Sequence, residues 1–345
     1  MRQCLICKQR NIEHYGICSE CAAMNEQRRN QSADLSEYTA LVTGGRINIG
    51  YAVCLRLLRD GASVIAVTRY PYDALRRYSE EPDYSEFRDR LYICEFDLKR
   101  ADRIHELIGY VHTTFPEGLD ILVNNAAQTI RKAPSYYAEL AANEERLRLE
   151  YNQNLPADFA LLAPSESYEL IPATAENAVA PYETPDHNSW VAKADEISPA
   201  EMLEVQLINV TAPFLLTGQL KSHMTISKHK NRFIINVSSV EGRFNTKSKL
   251  ARHVHTNMAK ASLNMMTHSL ATEYAVDRIL MYSVDPGWVS NQFPAEYEVS
   301  KNFKPYLTFD DGAARICAPI YEHKDDEKKP KDIGCLYKDY KILEY

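Results

Sequence analysis

The sequence predicts a doubly wound α/β domain preceded by a small metal-binding module, and three observations carry that reading. Apolar runs too continuous for a one-sided sheet alternate with amphipathic segments from Tyr38 onward. A glycine-rich turn, Thr43-Gly44-Gly45-Arg46-Ile47-Asn48-Ile49-Gly50, joins the first apolar run to the first helical segment. Ahead of both, Cys4-Leu5-Ile6-Cys7 and Cys18-Ser19-Glu20-Cys21 form two CxxC pairs separated by ten residues.

The chain has 345 residues, 45% of them hydrophobic, and a formal net charge of −7. That length allows a sizeable core, and the acidic balance lacks the basic field that drives nucleic-acid binding. The N-terminus has no apolar signal core and no uncharged run is long enough to cross a bilayer, so the expectation is a cytoplasmic protein without membrane contact. Four of the eight cysteines fall within the first 21 residues. Cys54, Cys94, Cys317 and Cys335 are scattered in apolar contexts, as expected of reduced core thiols.

Each CxxC pair can bring two thiolates to one ion, so Cys4, Cys7, Cys18 and Cys21 match the closed sulfur shell of a structural Zn²⁺ site. His14 is the alternative to one of those ligands. A segment of residues 1–24 is too short to bury a core, and metal would supply much of its folding energy. A protein partner, oligomerisation and nucleic-acid contact are the open roles for such a module. Residues 25–37 are polar and charged, which fits a solvated helix or linker leading into a main domain over 38–345.

Within that domain, strands are expected over 40–43, 63–68, 91–96 and 119–124, with helices over 51–59, 72–78 and 103–113. A strand that turns on glycines into a helix leaves free N–H groups at the positive end of the helix dipole, where a phosphate can sit. The dinucleotide fingerprint carries a further glycine where this chain has Asn48. Arg69 follows the second strand, where an adenosine ribose would lie. An arginine there can neutralise a 2′-phosphate, which favours NADP(H) over NAD(H), with Arg46 as a second contact. The alternative for Arg69 is an ion pair with Asp73.

Further motifs follow in order: Asp97 in FDL, Asn125 in NNAA, Asn209 in LINVTAPFLL, Ser239 in INVSSVEG, Lys260 in TNMAK and the run Asp285-Pro286-Gly287-Trp288-Val289. From about Tyr38 to Tyr345 the chain resembles the short-chain dehydrogenase/reductase family, in a divergent subgroup with a TGGR-type turn. The resemblance implies a Rossmann-type sheet and hydride transfer between a nicotinamide and a carbonyl or alcohol substrate. It implies cofactor contacts at Gly44, Arg46, Asn48, Ile49 and Gly50, then at Arg69, Asp97, Leu98, Asn125 and Ala126. Lys260, Pro286, Gly287 and Val289 complete that path. Catalytic roles are implied for Asn209, Ser239 and Lys260, and helices near 210–220 and 258–270 are expected to build a homodimer or homotetramer. Each residue also has a plainer reading: Asp97 can cap the next helix, Asn125 can tie neighbouring strands, and Pro286-Gly287 is common loop punctuation.

Two departures from the family stand out. The family's proton-donating tyrosine lies four residues before its lysine, and here that position is Thr256. A threonine hydroxyl ionises too reluctantly to replace a phenol near neutral pH. His255 or a relayed water is then the candidate donor. The second departure is an insertion at about 130–200, in which Ser135–Arg148 has helical composition and which is expected to cover or shape the substrate entrance. Beyond it come a late helix from Thr308, an edge strand at Cys335–Tyr337 and a charged loop over 322–331. Three readings follow: an NADP(H)-dependent oxidoreductase with a non-standard proton donor, a catalytically impaired NADP(H)-binding regulator contacting a partner through the zinc module, or an interaction protein that keeps the fold for dimerisation.

Overall fold

Strands β3 (Thr39–Thr43), β4 (Ser63–Thr68), β5 (Leu91–Glu95) and β6 (Ile121–Asn124) form where the continuous apolar runs place them. The computed structural model describes residues 2–9, 11–12, 16–151, 159–162, 184, 186–245, 249–296 and 305–345. A short β1–β2 pair (Arg2–Gln3 with Asn11–Ile12) and helix α1 (Ser19–Arg29) precede β3. Helices α2 (Asn48–Arg59), α3 (Pro71–Ser79), α4 (Tyr84–Phe87) and α5 (Ile104–Thr114) connect the strands that follow. After β6 come α6 (Pro134–Tyr151), β7 (Phe159–Leu161), α7 (Pro199–Gln206), α8 (Ala212–Thr225), β8 (Arg232–Val237), α9 (Val254–Tyr274) and β9 (Ile279–Asp285). Helix α10 (Phe309–His323) and the hairpin β10 (Leu336–Lys338) and β11 (Lys341–Leu343) complete the chain.

One nine-stranded sheet runs β11-β10-β9-β8-β6-β3-β4-β5-β7. Every neighbouring pair is parallel except β10 with β11. All residues of β8 and β9 are buried, because helices cover both faces and leave no polar side to alternate with. The two faces bury separate clusters, one around Val42, Leu57 and Ile235, the other around Leu41, Leu122 and Ile234. The strand order reverses between β3 and β6, the position at which ligands bind in open parallel sheets.

Three details differ from the sequence-based expectation. The outermost strand is β11, not Cys335–Tyr337, because Asp339 and Tyr340 both take left-handed φ (49° and 63°) and make the tight two-residue hairpin such a turn allows. The insertion also contributes strand β7, which pairs with β5 through Ile93 opposite Phe159 and so extends the sheet. Helix α9 starts at Val254, so His255 and Thr256 lie in its first turn and not in a loop. Among the described residues no helix is long and apolar enough to cross a membrane.

Helix α6 is pinned to the sheet's helices by one carboxylate. Glu144 accepts from the backbone N–H groups of Tyr72 (2.5 Å) and Asp73 (3.1 Å), which lie at the positive N-terminus of α3. Burial nevertheless pushes the Glu144 carboxyl up to about 7, against those two hydrogen bonds. A raised folded-state value means the native state holds the proton longer than the unfolded chain, so this group's contribution falls as pH rises from the ordinary carboxyl value of 4.5 to about 7. Thermal unfolding of wild type and Glu144→Gln across that window should show wild type losing stability relative to the variant as pH increases. A constant difference would exclude the assignment.

Candidate cofactor and active site

Thr43, the last residue of β3, is the knot of the site. Its hydroxyl accepts from the backbone N–H groups of Asn125 and Ala126, both at 3.0 Å, and the Asn125 side-chain amide donates to the Thr43 carbonyl at 2.9 Å. Asn125 therefore ties the end of β6 to the glycine turn, the plainer of its two readings. Asn48 opens α2 with φ +56°, a left-handed conformation that favours glycine and that asparagine tolerates better than other side chains. Gly50 is irreplaceable for another reason: a Cβ there would lie 2.1 Å from the Gly44 carbonyl oxygen.

Charges gather beside this turn. Arg46 is buried and pairs with Asp73 at 2.6 Å. Burial pushes Asp73 up, but hydrogen bonds from Arg77, Arg46 and Arg76 outweigh it and hold the carboxyl at about 2. Arg69 does not pair with Asp73, which those three arginines already occupy. Its guanidinium lies over the rings of Tyr70 (5.5 Å) and Tyr137 (5.8 Å), with no ion pair to a carboxylate among the described residues. Tyr70 also receives Arg46 over its ring at 5.0 Å. Asp97 is 5% exposed and accepts from the Lys99 backbone N–H at 3.0 Å. It caps no helix, since α5 starts only at Ile104.

A cleft of about 780 Å³ runs along the ends of these strands. Gly44, the segment Arg46 to Gly50, Arg69, Asp97, Leu98, Asn125 and Ala126 line one part of it, Lys260 and Pro286 the other. Gly287 (φ +84°) and the buried Val289 stand just behind Pro286. Lys260 is buried on α9 and donates to the Val237 carbonyl at 2.8 Å; burial lowers its ammonium to about 8, with Asp285 opposing. Asn209 sits in a π-helical turn, Leu207–Thr211, where its side chain accepts from Gln128 N–H (2.8 Å) and donates to Gln128 C=O (2.9 Å). Single π turns often mark functional positions, and this one locks the segment that follows β6.

The remaining predicted residues lie off the cleft wall. Ser239 caps the short turn Val240–Gly242 by accepting from Glu241 N–H at 3.1 Å; the serine that lines the wall is Ser238, whose hydroxyl donates to Asn264 Oδ1 at 2.6 Å. Thr256 and His255 are both buried, and neither the threonine hydroxyl nor either imidazole nitrogen has a hydrogen-bond partner among the described residues. Burial lowers His255 to about 4, so it is neutral near pH 7. Its Nε2 lies 3.7 Å from Glu201 Oε1, whose carboxyl burial pushes up. Sequence reasoning missed Glu201. The Ser198-Pro199 start of α7 signals the helix but not that the glutamate faces inward.

The returning end of the insertion packs here as well. Trp190 stacks on His253 (centroids 4.0 Å apart), and the Asn188 amide donates to Gln292 C=O at 3.0 Å. Gln292 in turn lines the cleft. At the N-terminus, the ligand atoms of Cys4, Cys7, Cys18 and Cys21 all lie within 4.8 Å of one another. Tetrahedral Zn–S bonds of about 2.3 Å place sulfurs roughly 3.8 Å apart, so the four thiols fit that shell with small adjustments. His14 lies outside the described residues.

A parallel sheet, a glycine turn at its switch point and a buried lysine across the cleft define the doubly wound class of dinucleotide-binding oxidoreductase folds. The profile described as short chain dehydrogenase matches residues 38–157 and 177–301, leaving the cysteine module outside. Uncharacterized protein R665 of Acanthamoeba polyphaga mimivirus is 31% identical over 359 aligned positions, spanning 94% of this chain and 72% of that protein. A short chain dehydrogenase from Burkholderia cenocepacia J2315 in complex with NADP has a TM-score of 0.59 at 19% identity, covering 88% of this chain and 96% of that one. For an NADPH-bound carbonyl reductase from chicken fatty liver the TM-score is 0.60 at 18% identity, covering 90% and 100%. These likenesses establish the shared fold. The chain belongs to the short chain dehydrogenase family, a family of NAD(P)-dependent oxidoreductases.

Gly50→Ala tests the geometry directly. The methyl must displace the Gly44 carbonyl and distort the turn, so dinucleotide binding, followed by NADPH fluorescence, should be lost. Binding at wild-type strength would contradict the close approach.

Proposed function

We propose that the protein is an NADP(H)-dependent oxidoreductase acting on a carbonyl or alcohol. The observation that carries this reading is one continuous cleft joining the glycine turn, Arg69 and Lys260. Arg69 is the cation presented to a 2′-phosphate, because Asp73 neutralises Arg46 and leaves Arg69 stacked on rings. A nicotinamide held in this cleft would supply hydride exchange with the substrate carbon. The chain's part would be to hold the cofactor through the residues that line the cleft, Pro286 among them, and to move one proton at the substrate oxygen.

Lys260 supports that second task. It is the ionisable side chain on the wall formed by Val237 and Ser238, and a value of about 8 lets it give up a proton near neutral pH. We therefore assign the proton to Lys260 and not to His255, which sits off the wall beside Glu201. The Ser238 hydroxyl braces α9, donating to Asn264 Oδ1 at 2.6 Å.

We read the four-cysteine cluster as a structural zinc site. The exposed Phe214 on α8 and Met258 and Met265 on α9 support a homo-oligomer through those helices. The eight cysteines, all free thiols, fit a reducing compartment such as the cytoplasm. A second reading, a cofactor-binding regulator without turnover, is favoured by Thr256 in the place of the tyrosine. NADPH fluorescence and NADPH consumption against a panel of carbonyl compounds separate the two: binding with turnover supports the enzyme, binding alone the regulator.

Two outcomes are expected of the enzyme. Arg69→Ala should weaken NADPH by about 1.5–3 kcal/mol, the range for a hydrogen bond to a charged group, and leave NADH unchanged. Equal losses for both would remove the 2′-phosphate assignment. Carbonyl reduction needs protonated Lys260, so its rate should fall as pH rises through about 8, and alcohol oxidation should rise over the same range. Lys260→Arg should move the break upward and Lys260→Ala should cost roughly 10²–10⁴ in rate; a flat profile would eliminate lysine as the proton source.

A further inference from the structure

The cysteine module is joined to the cofactor cleft by a buried arginine. Arg315 of α10 is 1% exposed and makes polar contacts on three sides. It donates to Asn25 Oδ1 of α1 at 2.8 Å, to Asp339 Oδ1 at 2.9 and 3.0 Å, and to the Asp311 carbonyl at 3.0 Å. Its guanidinium also lies over Tyr340 at 4.9 Å. Asn25 follows Cys21 by four residues on the same helix, so the metal-binding end of α1 and the arginine's partner share one rigid element.

The other side of α10 faces the cofactor. Phe309 lines the cleft, and Gly312 packs so that a Cβ would lie 3.2 Å from Val289, 3.5 Å from Ile49 and 3.6 Å from Pro286. The Arg315 side chain backs Gly287, where a Cβ would sit 3.5 Å from its Nε. Helix α1 is held at its far end too. Arg56 of α2 donates to the carbonyls of Arg28 (2.9 Å) and Arg29 (2.8 Å), and Arg29 pairs with Asp311 at 3.4 Å. The module is thus clamped to two of the helices that border the cleft, α2 and α10.

We propose that Arg315 is a positioning residue for dinucleotide binding, and that metal in the cysteine cluster tightens the cofactor cleft through the Asn25–Arg315 contact. This rests on the zinc and NADP(H) readings above. Metal loss frees the start of α1, Asn25 leaves, and a buried guanidinium loses one of its partners. Such groups do not tolerate a missing partner without moving, and the movable neighbours are Gly287 and the N-terminal turns of α10.

The test uses the full chain, with zinc content measured in every sample. Chelator-stripped wild type should bind NADPH roughly tenfold more weakly and exchange backbone amides faster over 286–296 and 309–318. Zinc-loaded Asn25→Leu should show the same two changes with zinc content retained, and stripping it should add little, since both act on one contact. Asn25→Asp, which keeps an oxygen acceptor, should restore wild-type affinity. Wild-type binding and exchange in zinc-loaded Asn25→Leu, or in confirmed zinc-free wild type, overturns the proposal. Protein that takes up no zinc, or binds no NADPH, instead overturns the reading beneath it. That failure is told apart because exchange over 286–296 in Asn25→Leu still reports whether Arg315 positions the loop.

Discussion

The structure depends most on the hydrogen bonds around Thr43. They join the ends of β3 and β6, the two strands between which the chain reverses direction through the sheet. A parallel sheet opens a crevice at such a reversal, and here the crevice is given a floor of fixed backbone. The first N–H groups of the glycine turn, Gly44 and Gly45, are bonded to the Val67 carbonyl at 2.9 and 3.1 Å, which fixes the turn at the end of β4 as well. Everything that makes the cleft selective is hung from that floor: Arg46 and Arg69 on one side, the Gln128 segment locked by Asn209 on the other.

The charge arrangement shows how neighbours can assign different tasks to like residues. Four arginines gather beside the glycine turn, yet three of them converge on Asp73 and are spent on structure. Stacking on two tyrosine rings keeps the fourth extended, since a cation over an aromatic face is held without being neutralised. The same logic separates the two basic side chains proposed for the proton. Lys260 is buried but lines the cleft, whereas His255 is buried against Glu201 and is not among the residues that line it.

Much of this was legible in the chain itself. The alternation of apolar and amphipathic runs placed the strands, because a sheet covered on both faces needs continuous hydrophobicity. The motif order located the cleft, and the CxxC spacing located the thiol cluster. What stayed hidden are choices made by tertiary contacts. Nothing in the segment around Glu144 shows that its carboxylate would reach the N-terminus of α3, and nothing around Glu201 shows that it would be buried beside His255. Whether Ser238 or Ser239 faces the cleft turns on which hydroxyl is drawn into capping the next turn. The sequence shows that Asn48 stands where the fingerprint has a glycine, but not that the position takes a left-handed φ of 56°, a conformation that asparagine can supply.

The insertion has a consequence of a different kind. By donating β7 to the sheet it covers the outer side of β5, which would otherwise present unpaired N–H and C=O groups to other molecules. Exposed strand edges of that sort template aggregation. The insertion therefore moves the edge of the sheet outward, from the five-residue β5 to the three-residue β7, and a shorter edge offers fewer groups to pair with. Removing β7 would leave the longer strand exposed, so this part of the insertion belongs to the scaffold.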